Sequence, residues 1–223
     1  MCARNQPAHG IATARGLIVM DSLAYIRGPS GQKPRIAAGP RDLSRQLMVQ
    51  YGIDAQVVGV SGLRFVSWDP EGRGTYLHTL GDVLEDRHPW IVLFSGGNDV
   101  YVQADTEALY SAMGTTIRLA LTATDALVVV YGGSSETWRY RGRFAQEYDA
   151  RVCRVVDRLS ADFQKIRGVR ILSGAPELCS LADADLVDRI GHLQFMDGFE
   201  KLVAALFAWV TLARALVPWR SRL

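Results

Sequence analysis

A single three-layer α/β domain, built on a mostly parallel five-stranded sheet with helices on both faces, is the fold class this 223-residue sequence predicts. Two observations predict it. Five short apolar runs alternate with stretches whose apolar residues recur at helical spacing, and that alternation specifies parallel strands joined by crossover helices. Four of the five runs also end in small or polar residues: Asp21-Ser22, Ser61-Gly62, Gly96-Gly97-Asn98-Asp99 and Gly132-Gly133. In a parallel sheet those ends share one edge, the edge at which open α/β sheets place their ligands.

The elements follow in order. Residues 1–15 read as a flexible N-terminal tail, and residues 16–223 as the single domain. Gly16 to Met20 is an apolar run suited to a strand buried on both faces, ending at Asp21 and Ser22. Gly28, Pro29, Gly31, Pro34, Gly39 and Pro40 then crowd together, which is loop chemistry. A helix is expected from Asp42 to about Tyr51, with Leu43, Leu47 and Met48 on one face. Residues 55–60 form the second strand, and Leu77, Leu80, Val83 and Leu84 the next helical stripe. Trp90 to Phe94 is the third strand, followed by a helix marked by Leu109, Met113, Ile117 and Leu121. Ala126 to Tyr131 is the fourth strand, and a long helix buries Tyr148, Val152, Val156, Leu159 and Phe163. Val169 to Leu172 is the short fifth strand, and a last helix runs from about Phe199 to about Leu216, stopped by Pro218.

Composition narrows the function classes. A formal charge of +2 is too small to argue for a nucleic-acid partner. Cys2, Cys153 and Cys179 are odd in number and widely spaced, so free thiols in a reducing compartment are expected. No metal-ligand spacing is present, and neither a metal nor a cofactor is expected. Residues 1–15 hold no apolar stretch suited to a secretion signal, and no run reaches the ~20 residues of a membrane span. A cytoplasmic protein is the expectation.

Ser22 sits where such sheets carry chemistry, but serine needs a base, an orienting group and donors for the developing oxyanion. Small residues at the strand ends let backbone N–H groups approach a ligand, and Asn98 adds a side-chain amide. Four histidines are available as base: His9 in the tail, His78 and His88 on or beside the second helix, and His192 before the last one. Asp188 and His192 are four apart, so one helical turn brings them onto one face, where the carboxylate orients the imidazole.

Taken together, Asp21-Ser22-Leu23, Gly62, Gly96-Gly97-Asn98-Asp99 and Asp188 with His192 resemble the SGNH/GDSL hydrolase family in block order over nearly the whole chain. The resemblance implies a flavodoxin-like three-layer fold, Ser22 as nucleophile, His192 as general base and Asp188 as orienting acid. It implies an oxyanion hole made by the N–H groups of Ser22 and Gly62 with the Asn98 amide, each donor worth roughly 2–4 kcal/mol of barrier. Three positions depart from the family pattern. Met20 stands where the family name implies glycine, and three residues rather than two separate Asp188 from His192. The glycine after the histidine comes one residue late, at Gly198. Asp185 is the alternative acid.

Three functions remain open on these residues. One is a serine esterase cleaving a small acyl ester through an acyl-Ser22 intermediate. Another is an acyltransferase moving an acyl group from an ester or thioester to an alcohol or sugar, and the third a catalytically silent binding domain. Asp21, Asp99, Arg139 and Arg141 are candidate substrate contacts. The alternative for the arginines, in Trp138-Arg139-Tyr140-Arg141-Gly142-Arg143, is a solvated surface loop. The last helix is apolar nearly all round from Leu202 to Leu212, which points to burial or a homodimer contact before a membrane surface. Trp68 and Trp90 read as packing residues.

Overall fold

A computed structural model describes residues 15–21, 24–27, 36–67, 69, 71–84, 87–95, 98–101, 104–131, 142–173 and 195–217. Five strands make the main sheet: β1 (Gly16–Met20), β4 (Ala55–Gly59), β5 (Ile91–Ser95), β6 (Leu127–Tyr131) and β7 (Val169–Ser173). Their spatial order is β4-β1-β5-β6-β7, and every pairing among them is parallel. All five sequence-predicted strands are present within a residue or so of their expected bounds. The described helices are α1 (Pro40–Tyr51), α2 (Tyr76–Val83), α3 (Asn98–Tyr101), α4 (Thr106–Ala123), α5 (Gly142–Phe163) and α6 (Phe195–Leu216).

Successive side chains of a strand point to opposite faces, so each apolar strand serves two cores at once. Leu17, Val19, Leu93 and Val129 pack with residues of α2, α4 and α5. Ile18, Met20, Phe94 and Val130 pack with α1 and α6. The apolar run of α6 is accounted for here: Leu202, Val203, Leu206, Trp209 and Val210 are buried against that second face. Phe207 is exposed and stacks on Tyr51 at a centroid distance of 4.1 Å.

Several expectations are corrected. Helix α1 begins at Pro40 rather than Asp42, because proline suits the first helical position and the Asp42 carboxylate accepts the Gly39 N–H at 3.0 Å. In α2 it is Tyr76, not Leu77, that is buried; Leu77 is 39% exposed. The Gly/Pro-rich loop contains a short antiparallel pair, β2 (Ile26–Arg27) with β3 (Ile36–Ala38), where no strand was expected. Helix α6 starts four residues earlier than its apolar run suggested. His88, expected on or beside α2, lies beyond its end, and its ring faces the Arg15 carbonyl at 2.9 Å. No described helix is long and apolar enough to cross a membrane.

Candidate active site

The strand order decides where a site forms. The first strand of the main sheet has the second on one side and the third on the other, so the chain reverses direction across the sheet between β1 and β5. Such a switch point opens a crevice beyond the carboxyl ends of those strands. Asp21 follows β1 and Asn98 follows β5, so the two stand at that switch point from positions far apart in sequence.

The loop after β4 supplies the third side. The Val60 N–H continues the ladder to the Met20 carbonyl at 3.1 Å, and a turn closes with the Leu63 N–H on the Val60 carbonyl at 3.2 Å. Gly62 sits in this turn at φ 74°, a left-handed conformation in which glycine alone carries no Cβ penalty. The tip of the turn, Ser61 and Gly62, is solvent-exposed.

Asn98 joins all three loops. Its side-chain amide nitrogen donates to the Leu63 carbonyl at 2.9 Å and to the Asp21 carboxylate at 3.2 Å. Both partners are pure acceptors, so the amide must present its nitrogen to them. Asp21, 2% exposed, therefore lies against the protein's own amide.

Asp99 is 0% exposed. One carboxylate oxygen accepts the N–H groups of Phe65 at 3.1 Å and Val66 at 3.0 Å, and the other accepts Phe65 at 3.0 Å. Burial pushes its pKa up to about 6, while the Val66 and Phe65 N–H groups and the positive charge of Arg64 pull the other way. Tyr76 lies beneath the same loop and donates its hydroxyl to the Phe94 carbonyl. Burial first, and then the Asp21 charge, raises the Tyr76 pKa well above its ordinary value, so the phenol stays a neutral donor.

Of the sequence-predicted site residues, Asp21, Gly62, Asn98 and Asp99 are thus brought to one edge. Asp21 and Asp99, the acids expected to contact substrate, are both buried and hydrogen-bonded within the protein, to partners 33 to 77 residues away. Ser22, Asp185, Asp188, His192, Arg139 and Arg141 lie outside the described residues, as do Gly96 and Gly97. Among the other histidines, His78 pairs with Asp82 one turn along α2 at 3.1 Å, on the surface.

No protein-family model matches the chain, and no curated protein sequence does. Solved structures do match in shape. A lipase/acylhydrolase from Enterococcus faecalis is 19% identical, with 87% of this chain and 94% of that one covered at a TM-score of 0.59. A catalytic mutant of an acetylxylan esterase from Geobacillus stearothermophilus is 14% identical, covering 89% and 94% at 0.58. An SGNH-hydrolase family esterase is 18% identical, covering 91% and 97% at 0.52. At these identities the likeness is one of fold: the chain has the architecture of SGNH hydrolases.

Proposed function

We propose that this protein is a serine esterase of the SGNH type that cleaves a small acyl ester through an acyl-Ser22 intermediate. The observation that carries the reading is the Asn98 amide, which ties the loops after β1, β4 and β5 into one cluster at the switch point. Ser22 follows Asp21 directly in the sequence, and Asp21 is a residue that the Asn98 amide holds. The fold shared with lipases and esterases supports the same chemistry.

In this reading the Ser22 hydroxyl attacks the ester carbonyl carbon while His192 takes its proton. Negative charge grows on the carbonyl oxygen and is met by the N–H groups of Ser22 and Gly62 and by Asn98. Both amide hydrogens of Asn98 are engaged in the resting state, so it serves by exchanging the longer bond, to Asp21 at 3.2 Å, for the substrate oxygen. The tetrahedral adduct then collapses, His192 returns the proton to the departing alcohol, and water releases the acyl group by the same steps in reverse. Asp188, or Asp185 in its place, orients the imidazole. Arg139 and Arg141 contact an acidic part of the substrate.

A fluorophosphonate probe and a chromogenic acetyl ester test this together. The folded protein is expected to label on Ser22 and to turn the ester over, and Ser22→Ala to lose the label and at least about 1,000-fold in kcat. Folded protein that stays unlabelled beside a reactive control esterase would show a silent binding domain. An ester product formed only when an alcohol or sugar is added would turn the assignment to acyl transfer.

A further inference from the structure

The structure assigns Asp99 as a positioning residue: its carboxylate clasps the backbone of residues 65 and 66 and thereby sets the turn that carries the Gly62 N–H. What the turn does in catalysis rests on the esterase reading; the clasp itself does not.

An exposed turn holds one position only if its stem is fixed. Here the Val60 side of the stem is held by the Met20 carbonyl, and the side that leaves the turn is held by adjacent residues of α3. Asn98 takes the Leu63 carbonyl at 2.9 Å, and Asp99 takes the Phe65 and Val66 N–H groups at 3.0–3.1 Å. Between them the Arg64 carbonyl accepts the Tyr76 N–H at 2.9 Å, and the Phe65 ring stacks on Tyr76 at 4.4 Å. From Leu63 to Gly62 is one residue, so little freedom remains to the turn. Hydrogen bonds to an ionised acceptor are shorter and about twice as strong as neutral ones, so the clasp is tightest with Asp99 charged.

The charge of Arg64, from the loop after β4, acts on Asp99, and the Tyr76 hydroxyl from α2 feels both Asp99 and Asp21 at the end of β1. Arg64 favours the charged carboxylate, and burial opposes it. Protonation of Asp99 near pH 6 removes the charge from the acceptor and loosens its hold on Phe65 and Val66. A carboxylate so enclosed cannot reach a substrate, which separates it from the catalytic groups.

Nitrogen-15 NMR of the whole chain, titrated from about pH 5 to about pH 8, reads the clasp directly. The Phe65 and Val66 amide protons are expected to shift together with one midpoint near 6. Asp99→Asn is expected to abolish that titration, and His192→Ala to leave it in place. Under the esterase reading, kcat of the folded Asp99→Asn protein is expected to fall about 10- to 100-fold, with KM moving less than about three-fold. A purely structural role would lower the folded fraction and leave kcat per folded molecule alone. Phe65 and Val66 amide protons that exchange with solvent as fast as unprotected amides overturn the proposal, even if no variant folds. If the wild-type chain hydrolyses no ester, the protection of the two amides still decides the clasp, and only its catalytic consequence falls.

Discussion

The two rims of the sheet are made from the same five strands by opposite means. At the amino ends, backbone groups stitch loop to strand. Gly16 donates to Asp54, Leu17 to Trp90, Ile91 to Ala126 and Leu127 to Gly168, at 2.8–3.2 Å. Packing there is close enough that a Cβ on Gly16 would lie 1.9 Å from the Trp90 ring. At the carboxyl ends, beside backbone bonds such as that of Val60 to Met20, polar side chains also hold the loops: the half-buried Asn98 and the buried Asp99 and Tyr76. Backbone stitching in an apolar setting stabilises at little electrostatic cost. Buried carboxylates cost stability, and their compensation is a fixed geometry for loops that must face solvent. The amino rim is a foundation, and the carboxyl rim is a frame.

The sharpest way to break that contrast is at Gly168. Its φ is 89°, and an added Cβ would lie 1.9 Å from the Asp125 carbonyl oxygen, so both the conformation and the space forbid a side chain. Gly168→Ala is expected to lose about 3–4 kcal/mol in urea denaturation, with kcat per folded molecule unchanged. The complementary break is Asn98→Ala. Its kcat is expected to fall at least about 100-fold, close to 3 kcal/mol of barrier, while denaturant stability drops by about 1 kcal/mol. If the two variants exchange signatures, the division of labour between the rims is wrong.

The smallest effect concerns pH. Asp99 titrates at about 6 in the folded chain against an ordinary 3.8, so the folded state holds the proton more tightly. The resulting stabilisation is complete below the ordinary value and is lost as pH rises through about 6. Within that window the wild type should lose up to about 1.4 kcal/mol per pH unit relative to Asp99→Asn. Parallel denaturation curves of the two proteins across the window would remove the buried-charge cost from the frame.

What could be read from the residues follows the range of the interactions. The five strands were visible because each is an unbroken apolar run, which burial on both faces demands. Tyr76 was passed over for Leu77 because a stripe of leucines fits the helical period equally well, and only the packing against Phe65 decides which face turns inward. The β2–β3 pair escaped notice because two- and three-residue strands carry no periodicity. The placement of Asp99 had no local signal at all, since its partners lie 33 and 34 residues back.

By itself the sequence determined the layered α/β architecture, the strand-end positions of Asp21, Gly62 and Asn98, and the order of the blocks. Those follow from local patterning of apolar and small residues, which acts over a few positions. Only the tertiary structure decided that Asp21 and Asp99 turn inward, that Asn98 binds two loops at once, and that the switch point falls between β1 and β5. Those depend on which strand lies beside which, and strand order is set by long-range packing that no short stretch of residues encodes.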